Sequence, residues 1–345
     1  MDCIGIDVHK RESQIYILAD TGEIQEVRIR TTRERFTAVL GNRTTARILL
    51  EAATESEWVA QCLELLGHEV IVADPNYAPM YPDRRRRVKT DRRDAAALAE
   101  ACRTGTYRAA HRLSAAQREV RRHLCTRDHF VRTRVRTVVL IRALLRGEGL
   151  RIRGGMIETF LGRLRELDVP DALQVRLAPL VACLEFVNAQ IAAADTEMAA
   201  ITAANPLLQR LATTPGVGPV TSAAFVAVLD RVDRFRSPQQ VASYIGLVPR
   251  EASSADRRHR GHITKAGNSR LRWLLVQSAW GVIRCRKPAA IPLRTWAERI
   301  AQRRGRSIAV VALARRLAGL LFILWRDGTT YDPGRLRMPT GSAAA

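Results

Sequence analysis

The apolar pattern of this chain changes its period near residue 114, and that change limits the fold more than any other feature. Before it, apolar residues come in short runs bounded by turn residues: "CIGIDVHK", "SQIYILADTGE", "ARILLEAAT" and "EVIVADP", the last stopped by Pro75. Runs of this length read as strands. The polar stretch near 31 to 40 and the segment "ESEWVAQCLELLG", closed by Gly67, read as helices between them. The "DTG" at 20 to 22 is turn chemistry that predicts a hairpin. A mixed sheet with crossover helices follows. From about 114 to 204, Pro and Gly become sparse except around 147 to 155, and apolar residues recur at helical spacing: Leu124, Val131, Val135, Val138 and Leu145, then Leu177, Leu180, Leu184, Val187 and Ile191. Two long helices joined by "RGEGLRIRGG" would form an antiparallel coiled-coil arm. From 205 to 335 the chain reads as a second, mostly helical globular unit, and the alanine-rich end, 336 to 345, as a disordered tail. The expected fold is therefore α/β over 1–113, followed by mainly α.

At 345 residues the chain can bury a full core and divide into domains, since single cores seldom grow past ~250 residues. Its 56 Lys and Arg against 34 Asp and Glu leave a formal charge of +22. That excess points to a polyanion, and nucleic acid is the polyanion a folded domain meets most often. A membrane surface would call for a basic amphipathic anchor or an apolar span of ~20 residues. The best candidate span, "IAVVALARRLAGLLFILW", is interrupted by Arg315 and Arg316 and reads as a buried helix. Cys3, Cys62, Cys102, Cys125, Cys183 and Cys285 form no CxxC pair, which argues against a zinc ribbon or a disulfide framework. A reduced, cytoplasmic setting is expected, and "MDCIGIDV" reads as a strand rather than a signal peptide. Arg132, Arg134, Arg136, Arg142 and Arg146 stud the first long helix, either as a solvated face or as phosphate contacts.

Against this basic background, "VKTDRRDAAALAEAC" places Asp91 and Asp94 three residues apart where a helix begins. Such spacing puts both on one helical face. Asp7 closes the first apolar strand and Glu51 closes "RILL". Four acids meeting from two strands and a helix would cage two hard cations, which take oxygen ligands and can clamp the attacking and leaving oxygens of a phosphodiester. The plain alternative is that Asp91 is an N-cap with Asp94 in the first turn, worth ~1 kcal/mol to the helix. Asp7 alone could close a turn, and Glu51 alone could pair with an arginine. Farther on, "TTPGVGPVTS" reads as helix, glycine turn, helix; the amides of Gly216 and Gly218 can face a phosphate there, although a simple helical hairpin uses the same residues.

"GIDVHK", "LLEAATES", "KTDRRDAAALA", "PGVGPVTS" and "YIGLVPREASSADRRHRGHITKAGNSRLRWLL" occur in the order and at about the separations found in transposases of the insertion-sequence-110 family, including its insertion-sequence-1111 group. The resemblance covers nearly the whole chain, and five ordered motifs are specific where one is weak. It implies a RuvC-like (ribonuclease-H-like) N-terminal domain with a DEDD tetrad on Asp7, Glu51, Asp91 and Asp94. It further implies a coiled-coil connection and a C-terminal transposase domain with a nucleophilic serine. Two serines stand in "PREASSADRR"; Ser254 matches the family's serine followed by a small residue better than Ser253. Attack by a serine hydroxyl stores the phosphodiester energy in a phosphoserine link that a DNA hydroxyl can reverse. His259 and His262 read as basic-loop surface. Arg257, Arg258, Arg260, Lys265, Arg270 and Arg272 read as phosphate clamps. The resemblance also implies donor and target DNA as substrates, a noncoding bridge RNA that pairs with both, and a homodimer or homotetramer in which the acids of one subunit work with the serine of another. Mg²⁺ is the expected cation, two per site. Aromatic residues at 5% are too few for an extensive base-stacking platform, in keeping with a protein that grips backbones. Two other functions fit the same residues: a RuvC-like junction nuclease that hydrolyses DNA with the tetrad alone, or a non-enzymatic nucleic-acid-binding protein.

Overall fold

The computed structural model describes residues 1–80, 90–254 and 257–335; the side chains of 251–260 and the tail from 336 lie outside the described residues. The chain divides into two compact units, Met1–Leu113 and Ser114–Ala345.

The first unit is built on a five-stranded sheet. Its elements in chain order are β1 (Cys3–Val8), β2 (Glu12–Leu18), β3 (Ile24–Arg30), α1 (Arg33–Leu40), β4 (Arg47–Glu51), α2 (Ser56–Leu65), β5 (Glu69–Ala73) and α3 (Asp91–Thr104). The strands lie in the order β3-β2-β1-β4-β5. β1, β2 and β3 pair antiparallel, while β4 and β5 run parallel to β1. The hairpin from β2 to β3 turns at Gly22, whose φ of +89° a side chain would strain and whose N–H donates to the Ala19 carbonyl at 3.0 Å. β3 is an edge strand with Ile29 as its one buried position, and its charged residues discourage pairing with another chain.

Alternation along the strands sends two apolar sets to opposite faces. Ile4, Ile6 and Val8 of β1, with Ile48 and Leu50 of β4, pack against Phe36, Leu40, Val59 and Leu63 of α1 and α2. On the other face Leu49 meets Leu98, Ala101 and Cys102 of α3. α3 approaches β1 so closely that a Cβ on Gly5 would stand 2.1 Å from the Ala95 carbonyl oxygen and 2.3 Å from the Ala99 nitrogen. Only glycine fits. Because those neighbours are backbone and cannot rotate away, Gly5→Ala is expected to cost about 3 kcal/mol or more. The melting point of this unit should then fall by roughly 10 °C, read by circular dichroism or calorimetry; an unchanged melting curve would show that α3 can slide on the sheet.

In the second unit α4 (Ala115–Gly147), α5 (Phe160–Arg165) and α6 (Asp171–Ala203) come first. α4 and α6 run antiparallel: Arg127 pairs with Asp195 at 2.5 Å and His123 with Glu197 at 3.2 Å. Their connection is longer than the glycine-rich linker expected, because α5 intervenes and buries Phe160 and Leu164 against Val138, Ile141, Leu173 and Leu177. Several α4 arginines expected to face solvent or phosphate have internal partners. Arg132 pairs with Asp128 at 2.7 Å, Arg134 with Glu158 at 3.2 Å, and Arg142 lies over the Phe160 ring at 5.4 Å. Val135, expected in the buried stripe, is exposed.

There follow α7 (Pro206–Ala212), α8 (Pro219–Leu229), α9 (Pro238–Ile245), the hairpin β6 (Pro249–Ser254) and β7 (Arg257–Ile263), α10 (Ser269–Arg284), α11 (Ile291–Arg304) and α12 (Arg306–Asp327). α8 is buried on nearly every side, so its sequence is apolar all round rather than striped. By length and composition, α6 and α12 would each be apolar enough to cross a membrane. α12, which carries the interrupted apolar run, is a core helix: Leu313, Leu317, Leu321 and Phe322 are fully buried, and the Arg316 guanidinium lies 4.6 Å over the Trp296 ring.

Candidate active site

The N-terminus of α3 sets the geometry of the acids. Thr90 is the N-cap: its side-chain oxygen accepts from the Arg93 N–H at 3.4 Å. The capping role open to Asp91 in the sequence therefore falls to its neighbour. Asp91 is the first helical residue, and Asp94 also lies in the first turn. Both carboxylates sit at the positive end of the helix dipole without serving as its cap.

Asp7 is the penultimate residue of β1 and is 9% exposed. It shares the α3 face of the strand with Gly5, two positions before it. Ile6 is level with Leu50 on the parallel strand β4, which puts Asp7 level with Glu51, and Glu51 shares its face with Leu49. Both acids thus close neighbouring parallel strands at their carboxyl ends, where open α/β sheets bind ligands. α3 crosses this face, with Asp91 one turn before Ala95 and Asp94 one turn before Leu98.

One residue at this site escaped sequence reasoning. His9 Nε2 lies 3.1 Å from Asp7 Oδ2 and 3.3 Å from Asp91 Oδ1, so the imidazole bridges a strand acid and a helix acid. Among the described residues, Asp7, His9 and Asp91 offer three donor atoms within 4.8 Å of one another, a geometry able to hold a metal ion. Glu51 and Asp94 stand at the same end of the sheet and on the same helical turn but are not part of that tight set. The sequence signal was present: His9 follows Asp7 by two in the run "CIGIDVHK", read as a strand, and strand alternation would place both on one face. Next to the cluster is an open cavity of about 430 Å³, lined by His9, Lys10, Arg11, Glu12, Arg28 and Asp91. The set fits a divalent cation, since carboxylate oxygens suit hard ions, and the basic residues around it suit a phosphate.

In the second unit, Ser253 and Ser254 are the last positions of β6, level with Arg258 and Arg257 on β7. The side chains of these residues, and of His259 and Arg260, lie outside the described ones. Lys265 follows β7 with φ of +56°, a left-handed conformation that costs a non-glycine residue roughly 1 kcal/mol. Arg270 and Arg272 are half-buried and have partners within the second unit. Arg270 pairs with the buried Asp128 and lies 4.5 Å from the Trp273 centroid; burial pulls its pKa down while Asp128 opposes the shift. Arg272 donates to the carbonyls of Ile245 at 2.9 Å and Gly267 at 3.2 Å, and burial lowers its pKa as well. A Cβ on Gly216 would stand 2.3 Å from the Ser278 carbonyl oxygen, so this glycine admits α10 to the turn. Gly218 caps α8 with open space at its Cβ position.

Comparison with known proteins adds sequence-wide likeness to this geometry. The profile of the IS110 DEDD transposases matches residues 4–148, and that described as "Transposase IS116/IS110/IS902 family" matches residues 208–292. The transposase for insertion sequence element IS1111A of Coxiella burnetii is 28% identical over 96% of this chain and 91% of its own. The protein y4qE of Sinorhizobium fredii, named as a transposase, is 31% identical over 94% of this chain and 88% of its own. The transposase for insertion sequence element IS1328 of Yersinia enterocolitica is 25% identical over 95% and 98%.

Proposed function

This chain belongs to the IS116/IS110/IS902 family of DNA transposases, and we propose that it cuts and rejoins the strands of its insertion sequence using a metal-binding tetrad, Asp7, Glu51, Asp91 and Asp94, together with the nucleophile Ser254. The observation that carries this reading is the meeting of Asp7 and Asp91 at the carboxyl end of the central strand, with Glu51 level on the next. A purely DNA-binding protein has no need of two carboxylates and an imidazole gathered within 4.8 Å of one another at a strand end.

The first unit is read as RuvC-like. Three antiparallel strands continued by two parallel ones, with a helix bearing acids laid across the central strand, support that assignment. A divalent cation held by the tetrad, with Mg²⁺ the default for oxygen ligands, would stabilise charge on the attacking and leaving oxygens of the phosphodiester. The protein's own groups orient the DNA: Lys10, Arg11 and Arg28 flank the acids and can hold the phosphates on either side of the scissile bond.

Residues 114–204 are read as a coiled-coil arm and 205–335 as the transposase domain. Dimerisation or tetramerisation through the arm is supported by the outward side of α6, where Val175, Pro179, Ala182, Phe186, Ala189 and Ala193 are all exposed and spaced alternately by four and three. That is the repeat of a helix seam, and it carries no charge. In the second unit Arg257, Arg258, Arg260, Lys265 and the amide of Gly218 are the backbone grips that remain. Guidance by a bridge RNA rests on the family resemblance and on a composition rich in arginine and poor in aromatics. The protein would act in the cytoplasm, on the DNA of the nucleoid.

The test is a strand-joining assay with purified protein, DNA carrying the insertion-sequence ends, and RNA transcribed from its flanks. Joined product should need all three components and a divalent cation. Product formed equally well in chelator would remove the metal centre, and product formed without the transcript would remove RNA guidance.

A further inference from the structure

We infer that His9 is a nitrogen ligand of the metal centre, and that it biases the centre towards a transition ion such as Mn²⁺ over Mg²⁺. The inference rests on the metal-binding reading of Asp7 and Asp91 and adds a donor that the tetrad lacks. The imidazole is half exposed, yet its Nε2 stands between the two carboxylates, 3.1 Å from one and 3.3 Å from the other. A single N–H can be directed well at only one acceptor. Donors that share one cation at about 2.1 Å stand about 3.0 Å apart at right angles and about 3.4 Å apart at the tetrahedral angle. Both separations fall within that span.

The chemistry of the donor then selects the ion. Mg²⁺ demands hard oxygen ligands in near-ideal octahedral geometry and holds its waters, whereas a first-row transition ion such as Mn²⁺ accepts an imidazole nitrogen beside carboxylates more readily. A site of two carboxylates and one imidazole, half open to solvent, leaves coordination positions for water and for a phosphate oxygen. Asp7 fixes one ligand from the buried strand and Asp91 the second from the helix, so His9, at the start of the turn after β1, supplies the third with little reorganisation.

The test uses the full-length protein without nucleic acid. Mn²⁺ is titrated into wild type, His9→Ala and His9→Asp and followed by the free-ion electron paramagnetic resonance signal, with Mg²⁺ added as competitor. Pulsed measurements look for ¹⁴N coupling to the bound Mn²⁺. Wild type should bind Mn²⁺ with nitrogen coupling. Altering groups that merely support ligands weakens metal affinity 10- to 100-fold, so loss of a direct ligand in His9→Ala should weaken Mn²⁺ by at least about tenfold and abolish the coupling. Mg²⁺ affinity should stay within about twofold, and His9→Asp should shift the preference towards Mg²⁺. Because His9 is exposed, the variants should melt within a few degrees of wild type, which excludes unfolding as the cause. Mn²⁺ bound with equal affinity and no nitrogen coupling would overturn the role of His9 and leave the carboxylate centre standing. No divalent binding to wild type at all would overturn the centre itself, and this inference with it.

Discussion

Asp7→Asn is expected to lower DNA strand cleavage by about a thousandfold or more, about 4 kcal/mol of lost transition-state stabilisation, while the fold and DNA binding persist. The size of the effect follows from where Asp7 stands. Its side chain is 12% exposed, against 54% for Asp91, so its direction is set by the sheet, between β2 on one side and β4 on the other. As a ligand of the proposed metal centre, a carboxylate held this firmly would need no reorganisation when charge develops on the phosphate. Asparagine keeps the shape but removes the charge that makes the group a strong ligand, so little folding energy is at stake. DNA affinity comes mostly from cations distributed over the chain, and one carboxylate among so many changes it little. Single-turnover cleavage of an end-labelled substrate measures the first effect, and a binding titration at fixed salt the second. Asp91→Asn should cost less, about ten- to a hundredfold, because a half-exposed ligand can be replaced in part by water. Cleavage by Asp7→Asn within tenfold of wild type would place the chemistry elsewhere.

Much of the first unit is legible in the sequence because its strands are short apolar runs closed by turn residues, and each run buries one face at a fixed period. Asp7 and Glu51 could be read as strand-end acids for the same reason: each follows a run that must stay inside. β3 is harder to read, since an edge strand with Ile29 as its one buried position carries almost no apolar pattern. The cap of α3 reads in the sequence as open to Asp91, and the structure places it one residue earlier, on Thr90. What Arg270 and Arg272 pair with is not a local property at all. Periodicity tells which face of a helix is buried, but a guanidinium on a long flexible stem pairs with whatever the tertiary fold brings near, here Asp128 from α4 and three carbonyls around Gly267. His9 shows the converse. Its nearness to Asp7 could be read from a spacing of two in the chain, but its meaning depends on Asp91, more than eighty residues away.

Ser254→Ala is expected to abolish covalent protein–DNA adducts altogether while leaving metal binding, DNA binding and RNA binding as they are. In the proposed step the serine oxygen forms a bond to the scissile phosphorus as a DNA oxygen leaves with a proton, and the number of phosphodiester bonds is conserved. The reverse step, with a DNA hydroxyl as nucleophile, rejoins strands without ATP. Alanine has no oxygen, so no adduct can form, and water could replace it only by hydrolysing the strand. A suicide substrate with a nick beside the cleavage site traps the adduct, which a denaturing gel resolves from free protein. Ser253→Ala is the control. The two serines are successive positions of β6, and successive positions of a strand belong to opposite faces, so one substitution should remove the adduct and the other should spare it. Loss with Ser253→Ala instead would move the nucleophile by one residue. Cleaved DNA with no adduct in wild type would mean that the acids act alone, by hydrolysis, and that the hairpin of β6 and β7 only holds the strand.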